Sequence, residues 1–488
     1  MATDTTVAAE PAGTTPTPSP DDDSGRRVSS AAILVPVVVL LVAGVLRFWG
    51  LGHPERIYFD ETYYAPQGQE MIARGVEEGF AVHPPVGKWL IGGGIATYGY
   101  HSFGFRAAAA AAGTLLTLVT YLIGLRLFRR RGVAAMAALF VALDGLTLTM
   151  SRIAMLDIFL ALFVALGAWL LLIDRDRMWE GLPAEGADAP ALSRLRGHPW
   201  RWFAGIAFGL ALATKWSAVL ALAGACLVVG FGEALWRRRL TGSPWTGLWR
   251  GAVNAVITLL VVPVLVYLVS YAGWFTNFAE TRLGLEQCPN GVCRVSTLDI
   301  VGQWWGEQQA IARFHGGLEA EHPYRSHPRT WPYLGRPVAY YYESCDDQKL
   351  ADGECVVAQG NVAHILGTGN PAIWWLGLGA LAAVLWYAIV RRDWRAWVIL
   401  AFYGMQYLPW LFVQRPNFLF YMTPAVAFLC LALAYAVWRV GSLPYARWVP
   451  AVVAASVVGA FVFWYPVWVG MEIPIELWQL RMWFPSWI

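Results

Sequence analysis

The sequence has little charge. Asp, Glu, Lys and Arg make up 14% of its 488 residues, against about 25% in a soluble globular chain. That shortage excludes a soluble multidomain enzyme and a disordered scaffold. A basic excess is lacking too: the formal net charge is +3, so no cationic stripe is available and nucleic acid is not a partner. Lysine is almost missing; Lys88, Lys215 and Lys349 are the only three among 36 basic residues. There is no internal repeat of fixed period, and the halves do not show the matched broken helices of an inverted-repeat transporter. What is abundant is apolar. Hydrophobic residues reach 57%, tryptophan alone numbers 27, and mean hydropathy is +0.46. The main solvent of this chain is lipid.

Residues 1–30 are rich in Ala, Thr, Pro, Ser and Asp. Such a segment cannot bury enough surface to fold and is expected to be a disordered cytoplasmic tail. The apolar run from residue 31 ends in LRFWGLGHPER without a small-residue cleavage pattern, which argues for a retained membrane helix over a signal peptide. A membrane helix needs about 20 apolar residues. By that ruler, spans fall near 31–50, 105–128, 132–150, 157–173, 202–214, 216–235, 251–272, 371–390, 396–412, 419–438 and 448–468, about eleven in all. The segment from Trp89 to Tyr100 is Gly-rich and too short to cross, so it is expected to lie in the interface or re-enter. Arginine clusters at 129–131, at 237–239 and at 391, 392 and 395 mark cytoplasmic ends. The expectation is an all-α integral membrane domain over 31–488, with a cytoplasmic N terminus and two long extracytoplasmic loops, 51–104 and 273–370. Loops of that length are usually functional.

Four of the six cysteines fall in the second loop as close pairs, Cys288 with Cys293 and Cys345 with Cys355. Disulfides suit that compartment. A metal site is the rival, although the spacings are not the usual zinc spacings.

Five features carry possible chemistry. Asp60 and Glu61 are adjacent acids about ten residues beyond the first span. Neighbouring residues point to different faces, so one can act as a base while the other holds a neighbour; the plain alternative is a solvated acidic pair. His83 and Lys88 frame HPPVGK, whose prolines fix an extended backbone. Lys88 there either meets a phosphate or snorkels to the headgroups. Arg152 and Asp157 in SRIAMLD, Lys215 in LATKWSA and Arg415 in QRPNF place charge at membrane depth or at span ends, where ionisable groups line polar cavities or pair with each other. An Arg152–Asp157 pair that only holds helices together is the structural alternative. Acids facing several cations suit glycosyl transfer from a lipid-phosphate sugar. The cations stabilise the departing phosphate, and a carboxylate accepts the proton of the incoming hydroxyl.

On FDE at 59–61, HPPVGK at 83–88, SRIAMLD at 151–157, TKW at 214–216, HPYRSHPRTWP at 322–332 and GNPAIWW at 369–375, the chain resembles the actinobacterial protein O-mannosyltransferases (family GT39) of the GT-C membrane glycosyltransferases. The resemblance implies the GT-C fold and a donor, polyprenyl-phosphate-mannose, in the outer leaflet. It implies as acceptor a Ser or Thr hydroxyl on an exported protein segment, and inversion at the sugar. Carried over, Asp60 is the base and Glu61 orients the acceptor. Arg152 and Lys215, with Arg415 less firmly, meet the donor phosphate. His83, Lys88, Asp157, His322, Tyr324 and Arg325 shape the loops over the site. The second loop leaves no room for the β-trefoil domain of eukaryotic relatives. Open at this level are contact with the protein export channel, a divalent cation at Asp60 and Glu61, and two rival functions. One is the same fold acting on a lipid or polysaccharide acceptor; the other is a transporter of lipid-linked sugars.

Overall fold

A computed structural model describes residues 30–78, 82–180, 198–246, 248–288, 293, 295–317 and 322–488. The tail expected over 1–30 lies outside the described residues except for Ser30. Helices α1 (Ser30–Phe48), α2 (Glu61–Arg74), α3 (Val86–Tyr98), α4 (Ser102–Phe128), α5 (Arg131–Ala142), α6 (Gly145–Arg152) and α7 (Asp157–Glu180) build the first half. The second half adds α8 (Pro199–Leu212), α9 (Ala218–Thr241), α10 (Leu248–Val256), α11 (Val262–Val269), α12 (Thr297–Gly316), α13 (Pro371–Val390), α14 (Trp394–Tyr407), α15 (Thr423–Gly441) and α16 (Val449–Val469).

Helices stand at all the places where spans were expected, but they differ in length. Among the described residues, seven are long and apolar enough to cross a membrane: Ser102–Phe128, Asp157–Glu180, Ala218–Arg239, Gly251–Val269, Pro371–Val390, Leu419–Gly441 and Pro444–Val469. The pair α5 and α6, bent by 58°, makes an eighth. The break has a local cause: Asp144 caps α6 by accepting from the Thr147 N–H at 2.9 Å, the usual role of Asp at a helix start. The remaining three are shorter. Apolar α1 covers Ile33–Phe48. α8 stops where the chain turns through Thr214 and Lys215, and α14 tightens into a 3₁₀ turn at Leu408–Phe412, where Pro409 removes a backbone donor.

The segment 51–104 is not an open loop. It holds α2 and α3, which pack on each other, and α3 packs on α4. The Gly-rich run of α3 has a packing reason: a Cβ at Gly92 would collide with the Gly68 carbonyl of α2. The all-α expectation holds for the bundle, to which the structure adds a small antiparallel sheet in the order β1 (Val338–Ser344), β2 (Asn361–Gly367), β3 (Glu472–Pro474). Tyr342 pairs with His364 and Ala363 with Glu472, so the sheet ties the second long loop to the C-terminal segment. VAYYYES is rich in the aromatic residues that favour a pleated, half-buried surface. Cys288 is disulfide-bonded to Cys293 and Cys345 to Cys355.

Candidate active site

The first loop is organised around one buried ion pair. Glu61 opens α2 and is fully buried. Its carboxylate accepts two hydrogen bonds from Arg106, Nε to Oε1 at 2.8 Å and Nη2 to Oε2 at 2.9 Å. It accepts two more from the backbone N–H groups of Ala154 at 2.9 Å and Tyr58 at 3.4 Å. The other guanidinium donors reach the carbonyls of Leu51 (3.3 Å), Pro54 (3.0 Å) and Arg56 (2.7 Å). A bidentate, charge-assisted pair of this kind fixes direction as well as distance. Glu61 therefore holds residues 51–61 in shape and has no face left for an acceptor. The acceptor-orienting role that the resemblance implies for Glu61 would have to act through this pair with Arg106.

Asp60 points elsewhere, as adjacency at a helix start requires. It is half-buried, and the one hydrogen bond to its carboxylate among the described residues comes from the Tyr64 hydroxyl at 3.5 Å. Phe59, just before it, sits at φ 53°, in the left-handed region that bulky residues avoid. Its ring is held edge-on by Tyr340 at 4.8 Å and by Phe420 and His322 at 6.2 Å. Backbone held in so sparse a region by its surroundings is a feature of functional sites. Burial pushes the Asp60 carboxyl up to about 6; Lys215 opposes this and Asp157 adds to it. Lys215 Nζ lies 2.9 Å from both carboxylate oxygens of Asp157 and over the rings of Tyr421 (4.9 Å) and Phe420 (5.4 Å). The structure thus brings Asp60, Asp157 and Lys215 into one electrostatic group. It replaces the Arg152–Asp157 alternative with an Asp157–Lys215 pair.

A second group of cations adjoins the first. Arg415 Nη1 donates to His315 Nδ1 at 2.8 Å, and His315 Nε2 donates to the Val82 carbonyl at 2.8 Å. This assigns the neutral tautomer, and burial together with Arg415 and Lys215 lowers the His315 pKa. The His83 ring lies 5.4 Å from that of His315. Burial, then Lys215, His315, Lys88 and Arg415, hold His83 well below the usual histidine range. Its Nδ1 is buried without a partner among the described residues. Lys88 is buried, which lowers it to about 8. His83 and Lys88 also line a cavity of about 680 Å³ walled by Tyr271, Trp274 and Trp304 and by glutamates including Glu77 and Glu307.

Arg152 is not in this group. Its Nη1 donates to the carbonyls of Leu46 (3.2 Å), Arg47 (3.0 Å) and Trp49 (2.7 Å), and its Nη2 to Gly50 (3.0 Å). These carbonyls end α1 or follow it, and an arginine there satisfies orphan acceptors and complements the helix dipole. In the structure, the guanidinium for which the resemblance implied a donor-phosphate role clamps the end of α1. In the second loop, His322 packs on Phe59 and, at 5.0 Å, on Phe418, and its Nδ1 accepts from the Tyr324 N–H at 3.2 Å. Tyr324 is capped by Arg336, 6.0 Å above the ring. Arg325 is exposed. No group of three or more His, Cys, Asp or Glu is placed to hold a metal among the described residues. Glu61 and Asp157 are each taken by a cation, so they do not assemble a ligand set around Asp60.

Two family descriptions match this chain: "Dolichyl-phosphate-mannose-protein mannosyltransferase" over residues 98–277 and "C-terminal four TMM region of protein-O-mannosyltransferase" over 300–487. A protein of Mycolicibacterium smegmatis named polyprenol-phosphate-mannose–protein mannosyltransferase is 32% identical, over 96% of this chain and 95% of its own length. One of the same name from Mycobacterium tuberculosis is 34% identical, over 93% and 91%. The chain belongs to the protein O-mannosyltransferase family. Its fold is that of the GT-C glycosyltransferases. The structure is similar to a chain of the S. cerevisiae protein O-mannosyltransferase Pmt1-Pmt2 complex bound to the sugar donor, with a TM-score of 0.73 at 15% identity over 93% of this chain and 92% of that one. ArnT from Cupriavidus metallidurans bound to undecaprenyl phosphate gives 0.53 at 18% identity, over 91% and 73%.

The strings on which the resemblance rests divide by what they touch. FDE, HPPVGK and TKW bring Asp60, His83, Lys88 and Lys215 to the site. SRIAMLD is split: Ser151 accepts from Arg47 at 3.2 Å, Arg152 clamps α1, and Asp157 meets Lys215. GNPAIWW is structural: the Asn370 N–H (3.1 Å) and Trp374 Nε1 (2.8 Å) donate to the buried Asp144 carboxylate. Sequence reasoning did not single out Tyr64, His315, Phe59, Tyr340 or Tyr421. Only Tyr64 carried a signal, since it stands one helical turn, i to i+4, from Asp60.

Proposed function

We propose that this chain transfers mannose from polyprenyl-phosphate-mannose to Ser and Thr hydroxyls of protein segments on the extracytoplasmic face, with Asp60 as general base and inversion at the sugar. One observation carries the reading. Of the three acids at the site, Glu61 and Asp157 are each bound by a cation, whereas the Asp60 carboxylate is half-buried beside that charge and, among the described residues, takes a hydrogen bond only from Tyr64. In one displacement the acceptor oxygen bonds to the anomeric carbon, the bond from that carbon to the phosphate oxygen breaks, and the hydroxyl proton passes to Asp60. The polyprenyl phosphate leaves toward Lys215 and Arg415, where cations preset in a partly dry site stabilise it.

The cavity beside His83 is assigned to the acceptor segment. Glu77 and Glu307 in its wall can accept hydrogen bonds from peptide N–H groups, beside the cations Arg74, Lys88 and Arg282. Placement of the site outside the cytoplasm in the cell membrane is supported by charge. Arginines gather at the bundle end opposite Asp60, while both disulfides lie in the second long loop. A membrane assay with a Ser/Thr peptide tests the reading: Asp60→Asn is expected to lose at least about 100-fold in turnover while inserting normally. Near-normal transfer by that variant, or transfer to a glycolipid and not to the peptide, would overturn it.

A further inference from the structure

Helix α12 has two unlike faces. Trp304, Gln308, Ile311 and His315, spaced i, i+4, i+7, i+11, turn inward. The Gln308 side-chain oxygen accepts from the Tyr267 hydroxyl at 2.5 Å, Trp304 meets the Tyr271 ring edge-on at 5.6 Å, and His315 holds Arg415. Leu298, Val301 and Trp305, spaced i, i+3, i+7, form a second stripe about a quarter-turn round the helix from it and are 81%, 44% and 57% exposed. Ala312 shares that stripe, Gln309, Gly302 and Arg313 border it on its outer side, and Asp299 stands further off.

We propose that this face lies in the bilayer surface at the Asp60 end of the bundle, with the lipid headgroup and upper acyl region as its partner. Three observations favour lipid. The stripe has no acid, and it combines large apolar residues with tryptophan and a flanking arginine, the composition of an interfacial helix. The helix is fastened to Tyr267, in the last turn of the span Gly251–Val269, the level at which that span leaves the bilayer. The same end of that span exposes Val264, Leu265, Leu268 and Val269, so the lipid-facing belt reaches the height at which α12 attaches. Bilayer seating then sets the position of His315, and through it of Arg415.

The test uses the full chain in nanodiscs of phosphatidylglycerol and phosphatidylethanolamine, with Cys226 replaced by Ala. Spin labels go on Val301→Cys and, separately, Leu298→Cys. Asp352→Cys in the second loop is the water-exposed reference, and Leu265→Cys the lipid-exposed one. Labels at 298 and 301 are expected to gain relaxation by oxygen and to lose relaxation by an aqueous nickel chelate, relative to 352. Equal access of the nickel chelate at 298, 301 and 352 would overturn the proposal. So would dipolar broadening between two copies at 298 or 301 in discs that hold a dimer, because the face would then cover a second chain.

Discussion

Asp60 and Glu61 are neighbours in sequence with opposite fates, and the difference is a matter of available donors. Four donors converge on Glu61, while Asp60 keeps one long bond and the field of a lysine. Because burial raises the Asp60 carboxyl to about 6, the carboxylate that accepts the proton persists above that pH and is lost below it. The turnover of the wild-type chain is therefore expected to fall tenfold per pH unit on the acid side of about 6 and to be flat from 7 to 8. A profile with no acid limb down to pH 5 would remove Asp60 as the titrating base. The two arginines first assigned to the phosphate are separated by the same count of partners. Arg415→Ala is expected to raise the donor KM by about 10- to 100-fold, the loss of one charge-assisted contact, with little change in melting temperature. Arg152→Ala is expected to do the reverse, lowering stability by about 2–4 kcal/mol with the donor KM kept. Thermal unfolding in detergent and donor titration of both variants distinguish the two roles.

At the scale of elements, the strings that carry the resemblance do not all carry chemistry. GNPAIWW begins α13 by putting Asn370 and Trp374 on Asp144, the residue that caps α6. A buried carboxylate tolerates this depth only while its donors stay in place. Trp374→Phe leaves one oxygen of Asp144 short of a donor and is expected to cost about 1–3 kcal/mol, read as a lowered melting temperature with kcat within about twofold. A kcat loss without destabilisation would place α13 in the site instead. The sequence made the helices legible because long apolar runs stand out, although α1, α8 and α14 fall short of the length such runs suggested. It also made FDE and TKW legible, because charge in such a chain is scarce. It did not show which partner each charge takes. Arg152 and Arg415 look alike as isolated cations, and only the carbonyls of α1 beside one and His315 beside the other separate them. His315 itself gave no signal, because its partners Val82 and Arg415 lie 233 and 100 residues away. The sheet escaped for a similar reason, since β3 is three residues long and exists only by pairing with β2.

For the whole molecule, the two ends of the bundle are chemically different. One end holds Asp60, Lys215 and Arg415. The other holds the arginines at 129–131, at 237–239 and at 391, 392 and 395, together with a buried network in which Arg201 joins Asp174 at 2.9 Å and Glu233 at 2.6 Å. Arginine-rich short loops stay on the cytoplasmic side because carrying them across is costly and opposed by the membrane potential. Disulfides persist on the other side because the cytoplasm is reducing. The two rules act on different residues and agree on one orientation, so a single labelling experiment checks both. Gly132, at the start of α5, is exposed and a Cβ there meets nothing within 4 Å; Asp352, between Cys345 and Cys355, is exposed as well. With Cys226 replaced by Ala, a membrane-impermeant maleimide applied to intact cells is expected to label Asp352→Cys and to leave Gly132→Cys unmodified until the cells are opened. The reverse pattern would turn the bundle over, put both disulfides in a reducing compartment and move Asp60 to the cytoplasmic leaflet, where an exported acceptor segment never presents its hydroxyls.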